Sequence, residues 1–272
     1  MAKTAAPRKP AAERPKSLAE RGEIKVYGAN ACLALWQNRA ADIVRVYVAE
    51  DRLRDFGPLL KWCASQKRAY HVVSGDDLAR IAASVHHEGL VLLAREPRRL
   101  ADEDLAARVA KLPQASCLVY LDGVGNPHNV GSIIRVAAHF GVPFLLGREG
   151  ELPRLTPAAS RIAEGGAEHV LLAALRRPDA TLATLKAAGF AVVGTSSHAS
   201  ASLYEGPLPA RSLVVLGGET GGASPGLLAA CDHVVKIPGT GAVESLNVSV
   251  AAGLVLGEYW RRHKEPRPRS GA

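Results

Sequence analysis

The 272-residue sequence has little cysteine, few aromatic residues and no long apolar run, and each scarcity excludes a class of protein. Its four cysteines, Cys32, Cys63, Cys117 and Cys231, are scattered without CxxC or Cys/His spacing, which indicates reduced thiols and no transition-metal site. No apolar stretch approaches the ~18 residues of a membrane helix, and the first segment lacks the apolar middle of a signal peptide. These absences predict a cytoplasmic protein without a metal and without a membrane partner.

The charge of the chain is strongly positive and unevenly distributed. The net charge is +8 and the sequence pI is about 9.5, with cations concentrated at both ends. Basic, flexible ends suit phosphate backbones, although a contribution to solubility alone explains them equally well. Only 5% of residues are aromatic, so recognition of folded RNA by shape and phosphate is favoured over the stacking of single-stranded bases.

Strands and helices alternate along the chain in two blocks. Residues 23–95 show a compact α/β pattern, which includes a helix, "GDDLARIAASV", started by Ser74 or Asp76. Residues 96–114 are charged and bounded by prolines, which is typical of a linker, here with a short helix. From residue 115 to 262, strands alternate with helices of about ten to fifteen residues, and this predicts a mostly parallel, doubly wound sheet.

Three strand ends in the second block carry unusual residues, and ligands bind at the carboxyl ends of strands in open parallel sheets. The first end leads into "GNPHNVGSIIRVAAHFG", which predicts a helix from about Asn129 with Asn129 as its cap. Apolar residues share one face of this helix by their three- and four-residue spacing: Val130, Ile133, Ile134 and Ala137. Arg135 falls on the opposite face, as it would on any capped surface helix with a solvated arginine.

The other two ends combine glycines with polar side chains. In "LVVLGGETGGAS" a buried strand runs into four glycines around Glu219, and glycines let a backbone approach a ligand closely. No Gly-Lys-Ser/Thr follows, which disfavours nucleoside triphosphates. In "VKIPGTGAVESLN" the last helix is predicted to start near Ser245, which can cap it. Asn247 would then lie in the first turn, where asparagine is a poor helix former.

Together these segments resemble the three motifs of the SpoU (TrmH-like) family of RNA ribose methyltransferases, within the SPOUT superfamily. The motifs appear as "NPHNVGSIIRVAAHFGV", "LVVLGGETGGAS" and "VKIPGTGAVESLNVSVAAGLVL", and the resemblance covers residues 116–260. "SRIAEGGAEHV" is similar to the family's Ser/Gly-rich region before its middle helix. Residues 24–95, with "VYGANACLALW" and "HHEGLVLLA", resemble the small ribosomal-protein-like RNA-binding domain that many members carry.

The resemblance implies a fold and a function that composition and spacing do not reach. The fold is α/β: a SPOUT-type knotted, mostly parallel sheet with helices on both faces, preceded by a small ribosomal-protein-like α/β domain. The function is methyl transfer from S-adenosylmethionine to a ribose 2′-hydroxyl of structured RNA, either rRNA or tRNA, by a homodimer. With the tails and linker taken from composition, the predicted limits are 1–22 and 263–272 for flexible basic tails, 23–95 for the RNA-binding substrate domain, 96–114 for the linker and 115–262 for the knotted methyltransferase domain.

The resemblance also assigns roles to individual residues. Arg135 would engage the ribose–phosphate and orient the hydroxyl, while Asn129 and Glu219 would shape the pocket around it. Ser245 and Asn247 would hold the third loop and line the methyl-transfer site. The knot loops, 216–222 and 236–247, would hold the cofactor. The implied cofactor-binding residues are Thr195, Leu216, Gly217, Glu219, Ile237, Pro238, Ser245, Leu246 and Asn247.

Two other functions compete with this interpretation. A non-catalytic RNA-binding or ribosome-assembly factor that keeps the fold would explain the basic ends and the first block equally well. A nicotinamide oxidoreductase is disfavoured because the first strand of the second block is not followed by GxGxxG. The loop of His86, His87 and Glu88 could touch RNA or could simply lead into a strand.

Overall fold

The computed structural model describes residues 17–218 and 221–264, which form two sheets flanked by helices. Most of the two predicted tails, residues 1–16 and 265–272, lies outside the described residues, as does Glu219. The strands are β1 Glu23–Tyr27, β2 Ile43–Ala49, β3 Ala69–Val73, β4 Leu90–Arg95, β5 Ser116–Asp122, β6 Phe144–Arg148, β7 Leu171–Leu175, β8 Ala191–Thr195, β9 Ala201–Ser202, β10 Arg211–Gly217 and β11 His233–Lys236. The helices are α1 Ala29–Arg39, α2 Gly57–Ser65, α3 Gly75–Ala82, α4 Asp102–Val109, α5 Pro127–His139, α6 Pro157–Ile162, α7 Pro178–Ala187, α8 Pro225–Ala229 and α9 Val248–His263.

The small sheet has four strands in the order β1-β4-β2-β3. Strand β4 runs antiparallel to β1 and β2, while β2 and β3 are parallel. Helix α3 begins after Ser74, whose hydroxyl oxygen accepts a hydrogen bond from the backbone N–H of Asp77 at 3.1 Å. Of the two residues predicted to start this helix, Ser74 is therefore the cap.

The large sheet has seven strands in the order β7-β6-β5-β10-β8-β11-β9, and every neighbouring pair is parallel. Alternate side chains of β5 enter different cores, since Val119 and Leu121 pack on the α5 side and Leu118 and Tyr120 on the other. Helices therefore cover both faces, as the sequence predicted.

Two strands and one packing relationship escaped the sequence analysis. Strand β7, with the sequence LLAAL, has the composition of a helix, and β9 is only two residues long. Helix α4 lies in the predicted linker, yet Leu105 and Val109 are buried in the core of the large sheet. Asp102 fixes this helix, because its carboxylate accepts hydrogen bonds from the backbone N–H groups that follow β7. The domain limits themselves stay a prediction.

The two sheets share one continuous apolar core. Val26 and Leu35 of the small α/β unit belong to the same buried cluster as Ile133 and Ala159 of the large one, and α6 packs against β1. The small α/β unit is thus in direct contact with the helices that surround the large sheet. Across the described ranges, no helix is both long enough and apolar enough to span a bilayer.

Candidate active site

The three strand ends singled out in the sequence lie at one edge of the large sheet. The parallel register pairs Gly217 with Asp122, and Val235 with Thr195, so these residues occupy the same carboxyl edge. Strand β10 lies between β5 and β8, although it follows both in the chain. The chain leaves β5 toward β6 on one side and returns on the other, which makes this edge a topological switch point. Ligands of open parallel sheets bind at such points.

Asp122 joins the first strand end to the second loop. Its backbone carbonyl accepts a hydrogen bond from Gly218 N–H at 2.8 Å, and its carboxylate accepts one from Ser224 N–H at 2.6 Å. A carboxylate that accepts a backbone N–H can hold a loop without any helix or strand. The sequence analysis did not select Asp122, although an acidic residue at the last position of a buried strand was a usable signal.

The second loop is closed so tightly that glycine is required at its start. A Cβ added to Gly217 would overlap the backbone of Gly222 and Ala223, and a Cβ added to Gly218 would meet the carbonyl of Gly123. The loop is pinned by a bridge between Gly218 and Gly222. Glu219, predicted to shape the pocket, belongs to this loop but lies outside the described residues. The loop that would hold a ligand is thus defined by backbone packing.

Helix α5 begins earlier than the sequence predicted. Asn126 is its cap, because the side-chain oxygen accepts a hydrogen bond from His128 N–H at 2.9 Å, and Pro127 occupies the first helical position, which proline favours. The predicted cap at Asn129 is therefore wrong: Asn129 lies inside the helix and is only 7% exposed. The predicted apolar face is correct, and these residues are buried: Val130, Ile133, Ile134 and Ala137.

Asn129 and Asn247 meet across the site. The side-chain N–H of Asn247 donates to the side-chain oxygen of Asn129 at 3.1 Å and so connects the third loop to α5. The oxygen of Asn247 accepts from Ser249 N–H at 2.9 Å, which makes Asn247 the cap of α9. The predicted cap at Ser245 is wrong, since Ser245 lies outside the helix and is exposed. Asparagine is a favoured cap residue, so its low helix propensity does not oppose its position here, just before the first turn.

Arg135 does not join this pair within one chain. It lies six residues after Asn129, which places it roughly 9 Å along the helix axis on a different face. The side chain is exposed, and within the described residues its guanidinium has neither an ion pair nor a hydrogen bond. An unengaged guanidinium presents its N–H fork to solvent, in the geometry that binds a phosphate or a carboxylate.

The residues predicted to bind the cofactor follow the same edge. The Thr195 hydroxyl donates to the carbonyl of Val215 at 2.8 Å, which leaves its oxygen free to accept. The chain from Ile237 through Pro238 to Leu246 forms neither helix nor strand, so its main-chain donors and acceptors are available to a ligand. Leu246 is 45% exposed and lies beside these groups. Main-chain polar groups beside an exposed apolar side chain fit an adenosyl group.

A buried acidic residue, Glu258, stabilises the strand edge from which the third loop begins. Glu258 in α9 accepts hydrogen bonds from Arg261 and Arg262, which lower its pKa to about 2, so it stays ionised at neutral pH. Arg262 also donates to the carbonyls of Gly206 at 2.8 Å and Leu203 at 2.7 Å. These residues follow β9, which pairs with the last residues of β11. The charge pair therefore braces the strand edge from which the third loop departs.

The small unit carries a stacked pair of a half-buried tyrosine and an exposed histidine, which the low aromatic content did not predict. Tyr47 and His71 are neighbours across β2 and β3, with ring centroids 5.4 Å apart and planes 21° from parallel. Arg45 donates to the Tyr47 hydroxyl at 3.3 Å. The two rings lie 24 positions apart in the chain, so only the strand pairing brings them together. Rings beside a guanidinium can stack on exposed bases.

The loop of His86, His87 and Glu88 faces the large unit. The carbonyl of His86 accepts a hydrogen bond from Arg161 of α6 at 3.0 Å, and the Glu88 carboxylate lies 3.3 Å from the same guanidinium. Glu88 also accepts from Ala29 N–H at 3.0 Å. These contacts give the loop a structural role between the two units.

Substitution of Asn247 separates its capping role from its contact with Asn129. Asn247→Ala should lower the stability by about 1 kcal/mol, a fall in Tm of about 2–4 °C, because it removes the cap. Asn247→Ser keeps a capping oxygen but is too short to reach Asn129. We expect the serine variant to keep the wild-type Tm and to lose turnover as the alanine variant does, measured by thermal unfolding and methyl transfer. Recovery of turnover together with Tm in the serine variant would contradict a role for the Asn129 contact.

The chain matches two family models. The model of the SpoU rRNA Methylase family matches residues 116–257, and the model described as RNA 2′-O ribose methyltransferase substrate binding matches residues 25–100. Both units seen in the fold are therefore covered.

Similar proteins come from several bacteria. An uncharacterised tRNA/rRNA methyltransferase, YfiF, of Escherichia coli O157:H7 is 38% identical over 242 residues, which are 89% of this chain and 69% of that protein. The 23S rRNA (guanosine-2′-O-)-methyltransferase RlmB of Vibrio cholerae serotype O1 is 33% identical over 243 residues, which are 89% of this chain and 98% of RlmB. The SpoU methyltransferase AviRb of Streptomyces viridochromogenes, crystallised with AdoMet, has a TM-score of 0.75 at 22% identity over 90% of this chain and 92% of its own, and so shares the fold.

Proposed function

The chain belongs to the SpoU rRNA methylase family, and from this membership we propose that it transfers a methyl group from S-adenosylmethionine to a ribose 2′-hydroxyl of ribosomal RNA. The substrate class follows the relatives named as 23S rRNA 2′-O-methyltransferases, one of which this chain covers almost completely. Transfer RNA is the second candidate, because the similar Escherichia coli protein is named as a tRNA/rRNA methyltransferase. We therefore also propose that the protein works in the cytoplasm.

One observation carries the proposal: the hydrogen bond between Asn247 and Asn129 at the switch point of the sheet. It connects the third motif to the first, where β5 and β10 also end side by side. A non-catalytic factor with the same fold has no need for polar side chains paired at this position. The cofactor edge and the start of the helix that carries Arg135 are thereby joined in one site.

The reaction is an in-line displacement, so the chain's main task is to position the ribose oxygen. When bound, S-adenosylmethionine would supply the methyl group from its cationic sulfonium: the C–O bond forms as the C–S bond breaks, the neutral thioether leaves, and the hydroxyl proton passes to solvent. Arg135 binds the phosphate beside the target ribose with the planar N–H fork of its guanidinium and orients the 2′-hydroxyl. Asn129 and Asn247 fix the opposite wall of the pocket. Ser245, two residues before Asn247, lines the end of the pocket where the methyl group is transferred. We assign Glu219 to the same pocket.

The cofactor-binding residues are proposed along the edge already described. Backbone groups at Leu216, Gly217, Ile237 and Leu246 would bind the adenine and its ribose. The Thr195 hydroxyl oxygen would accept a hydrogen bond from this adenosyl group. Pro238 stiffens the turn between them. We also propose that the loops 216–222 and 236–247 close a trefoil knot, as the family resemblance implies. A knotted backbone would hold these loops in place before any ligand binds.

The small unit would bring the RNA to this site. It matches the family's substrate-binding model, and its Tyr47–His71 pair with Arg45 combines ring faces with a positive charge. Such a surface can stack unpaired bases and contact their phosphates.

A homodimer is supported by the exposed face of α9. Val250 is 51% exposed and Leu254 is 38% exposed, and both lie on the same side of the helix. Gly253 lies between them and Gly257 follows on the same side, although a glycine inside a helix costs about 1 kcal/mol relative to alanine. Two glycines flanked by exposed apolar side chains suit close packing against the same helix of a second copy.

Disruption of this face should dissociate the dimer. Leu254→Glu places a charge at the centre of the proposed contact, so we expect sedimentation velocity to show a monomer where the wild type is a dimer. Val85→Glu is the matched control, because Val85 is 76% exposed on the other unit and should leave the mass unchanged. A wild-type monomer, or a dimeric Leu254→Glu variant, would refute the proposed interface.

The function itself is tested on RNA from cells that lack the protein. The purified chain, given labelled S-adenosylmethionine, should methylate their ribosomal RNA at a ribose 2′-oxygen, and the modified nucleotide should be absent from those cells. S-adenosylmethionine alone should raise the Tm, as any ligand of the folded state does. Labelling of transfer RNA alone would favour the second candidate. The absence of both labelling and a Tm shift would favour the non-catalytic RNA-binding factor.

A further inference from the structure

The segment from Glu164 to Glu168 lies between the two units and has no role in the site described above. It includes a 3-10 turn from Gly166 to Glu168 that follows α6. Glu164 has a φ of +51° and Gly165 a φ of +87°, so the backbone reverses sharply here. The segment belongs to "SRIAEGGAEHV", which resembles a family motif but has no place in the chemistry.

One side of the segment binds the small unit through two acidic side chains. Arg39, at the end of α1, donates from Nε to Glu168 Oε2 at 2.6 Å and from Nη2 to Oε1 at 3.2 Å. The side chains of Arg39 and Glu168 are only 16% and 6% exposed. Arg39 also donates to the carbonyl of Arg95, at the end of β4, at 2.7 Å. Asn30, at the other end of α1, donates to Glu164 at 2.6 Å.

Gly165 and Gly166 let the segment pack closely between α1 and α5, because neither has a side chain. A Cβ on Gly165 would lie 2.7 Å from the Cβ of Ala34 in α1, which is closer than carbon atoms pack. A Cβ on Gly166 would lie 3.2 Å from the Cα of Arg135 and 3.1 Å from the Cβ of Ala138 in α5. The turn is therefore in contact with α1 on one side and with α5, at Arg135, on the other. Side chains at these positions would push the two helices apart.

We propose that residues 164–168, together with Arg39, form a joint that fixes the RNA-binding unit against the helix that carries Arg135. Arg39 and Glu168 are positioning residues: they set the distance and angle at which bound RNA reaches the site. A nearly buried, bidentate ion pair contributes more to a defined geometry than to stability, because desolvation offsets much of its attraction. The inference rests on the proposed RNA methylation for its kinetic consequence, while the joint itself is defined by the contacts.

The kinetic test reverses one charge at a time. Arg39→Glu and Glu168→Arg each place like charges together in the joint, so the small unit should shift. A misplacement of about 1 Å can cost on the order of 100-fold in rate. We expect kcat/KM for ribosomal RNA to fall at least tenfold, mainly through KM, while the Tm shift caused by S-adenosylmethionine stays at the wild-type value. The double variant Arg39→Glu/Glu168→Arg restores opposite charges across the joint and should recover part of the loss, although Asp42, which lies 3.3 Å from Arg39, then faces a like charge.

Two further variants keep the test decisive. Arg80→Glu makes the same change of charge on the small unit, where Arg80 pairs with Asp77 on the surface, and should leave kcat/KM unchanged. Gly166→Ala changes no charge but inserts a methyl group between the turn and α5, and should raise KM for RNA as the reversals do. Normal kcat/KM in both Arg39→Glu and Gly166→Ala, or a loss in Arg80→Glu as large as that in Arg39→Glu, would overturn the proposal.

Small-angle scattering separates the joint from the proposed function. Arg39→Glu should increase the radius of gyration of the full chain, and the double variant should restore it, whether or not RNA is methylated. A wild-type protein that does not methylate RNA refutes the function. A radius of gyration that is the same in the wild type and in Arg39→Glu refutes the joint.

Discussion

Replacement of Arg135 by alanine is expected to lower methyl transfer by on the order of 100- to 1,000-fold, while binding of S-adenosylmethionine stays intact. This is the loss that follows when a single positioned donor is removed from a transition state. The guanidinium is exposed and has no partner among the described residues, so its removal breaks no contact that stabilises the fold. Turnover on ribosomal RNA and the cofactor-induced Tm shift are the two measurements.

The variants around Arg135 separate charge from geometry. Arg135→Lys keeps the charge but not the planar fork, and should recover only part of the activity if the phosphate is bound by two N–H groups. Arg177→Ala removes an arginine that is 73% exposed elsewhere on the large unit and should not alter turnover. An active Arg135→Ala enzyme would remove Arg135 from the mechanism.

The separation of Arg135 from Asn129 suggests how the site is completed. The two residues lie roughly 9 Å apart along α5, so Arg135 of one protomer can serve the Asn129–Asn247 pair of its partner. Inactive Arg135→Ala and Asn247→Ala chains should then complement each other when mixed. Half of a random mixture is heterodimer with one intact site of two, so we expect about a quarter of the wild-type activity. No recovery in the mixture would place both residues in the site of one chain.

The parallel character of the large sheet and the apolar face of α5 followed from the sequence, because alternating strands and helices indicate the first and periodic burial sets the second. The three- and four-residue spacing of Val130, Ile133, Ile134 and Ala137 has one solution on a helix, and all of them are buried. The strand ends also met where parallel pairing requires, since all carboxyl ends of a parallel sheet share an edge. These features depend on the local sequence and on general rules of packing.

The helix caps and the joint could not be predicted from the sequence in this way. Asn126, Asn129, Ser245 and Asn247 are all residues that can cap a helix, and the pattern alone does not rank neighbours one turn apart. The structure chose the two that also satisfy a backbone N–H, at His128 and Ser249. The role of Gly166 depends on two helices that are distant in the chain, so nothing near residue 166 in the sequence predicts it.

Gly217→Ala should abolish binding of S-adenosylmethionine, although it adds a single methyl group. The added Cβ would overlap the backbone of Gly222 and Ala223, so the second loop has to open. The neighbour is main chain on both sides, held by the bridge from Gly218 to Gly222, and cannot move as a flexible side chain can. Overpacking of this kind costs about 1–3 kcal/mol, and here the displaced atoms close the loop that is proposed to hold the cofactor.

Two glycine controls distinguish loss of the loop from loss of stability. Gly226→Ala adds its methyl group nine residues further on, in α8, where nothing lies within 4 Å, and should bind the cofactor normally. Gly89→Ala, with a φ of +84° and a close contact to Arg52, should lower the Tm through the small unit yet keep the full cofactor-induced rise. A rise of wild-type size in Gly217→Ala would show that the cofactor binds without this loop. The backbone contact between Gly217 and Gly222 would then be a feature of the fold alone, and the site would have to be sought on the far side of β10.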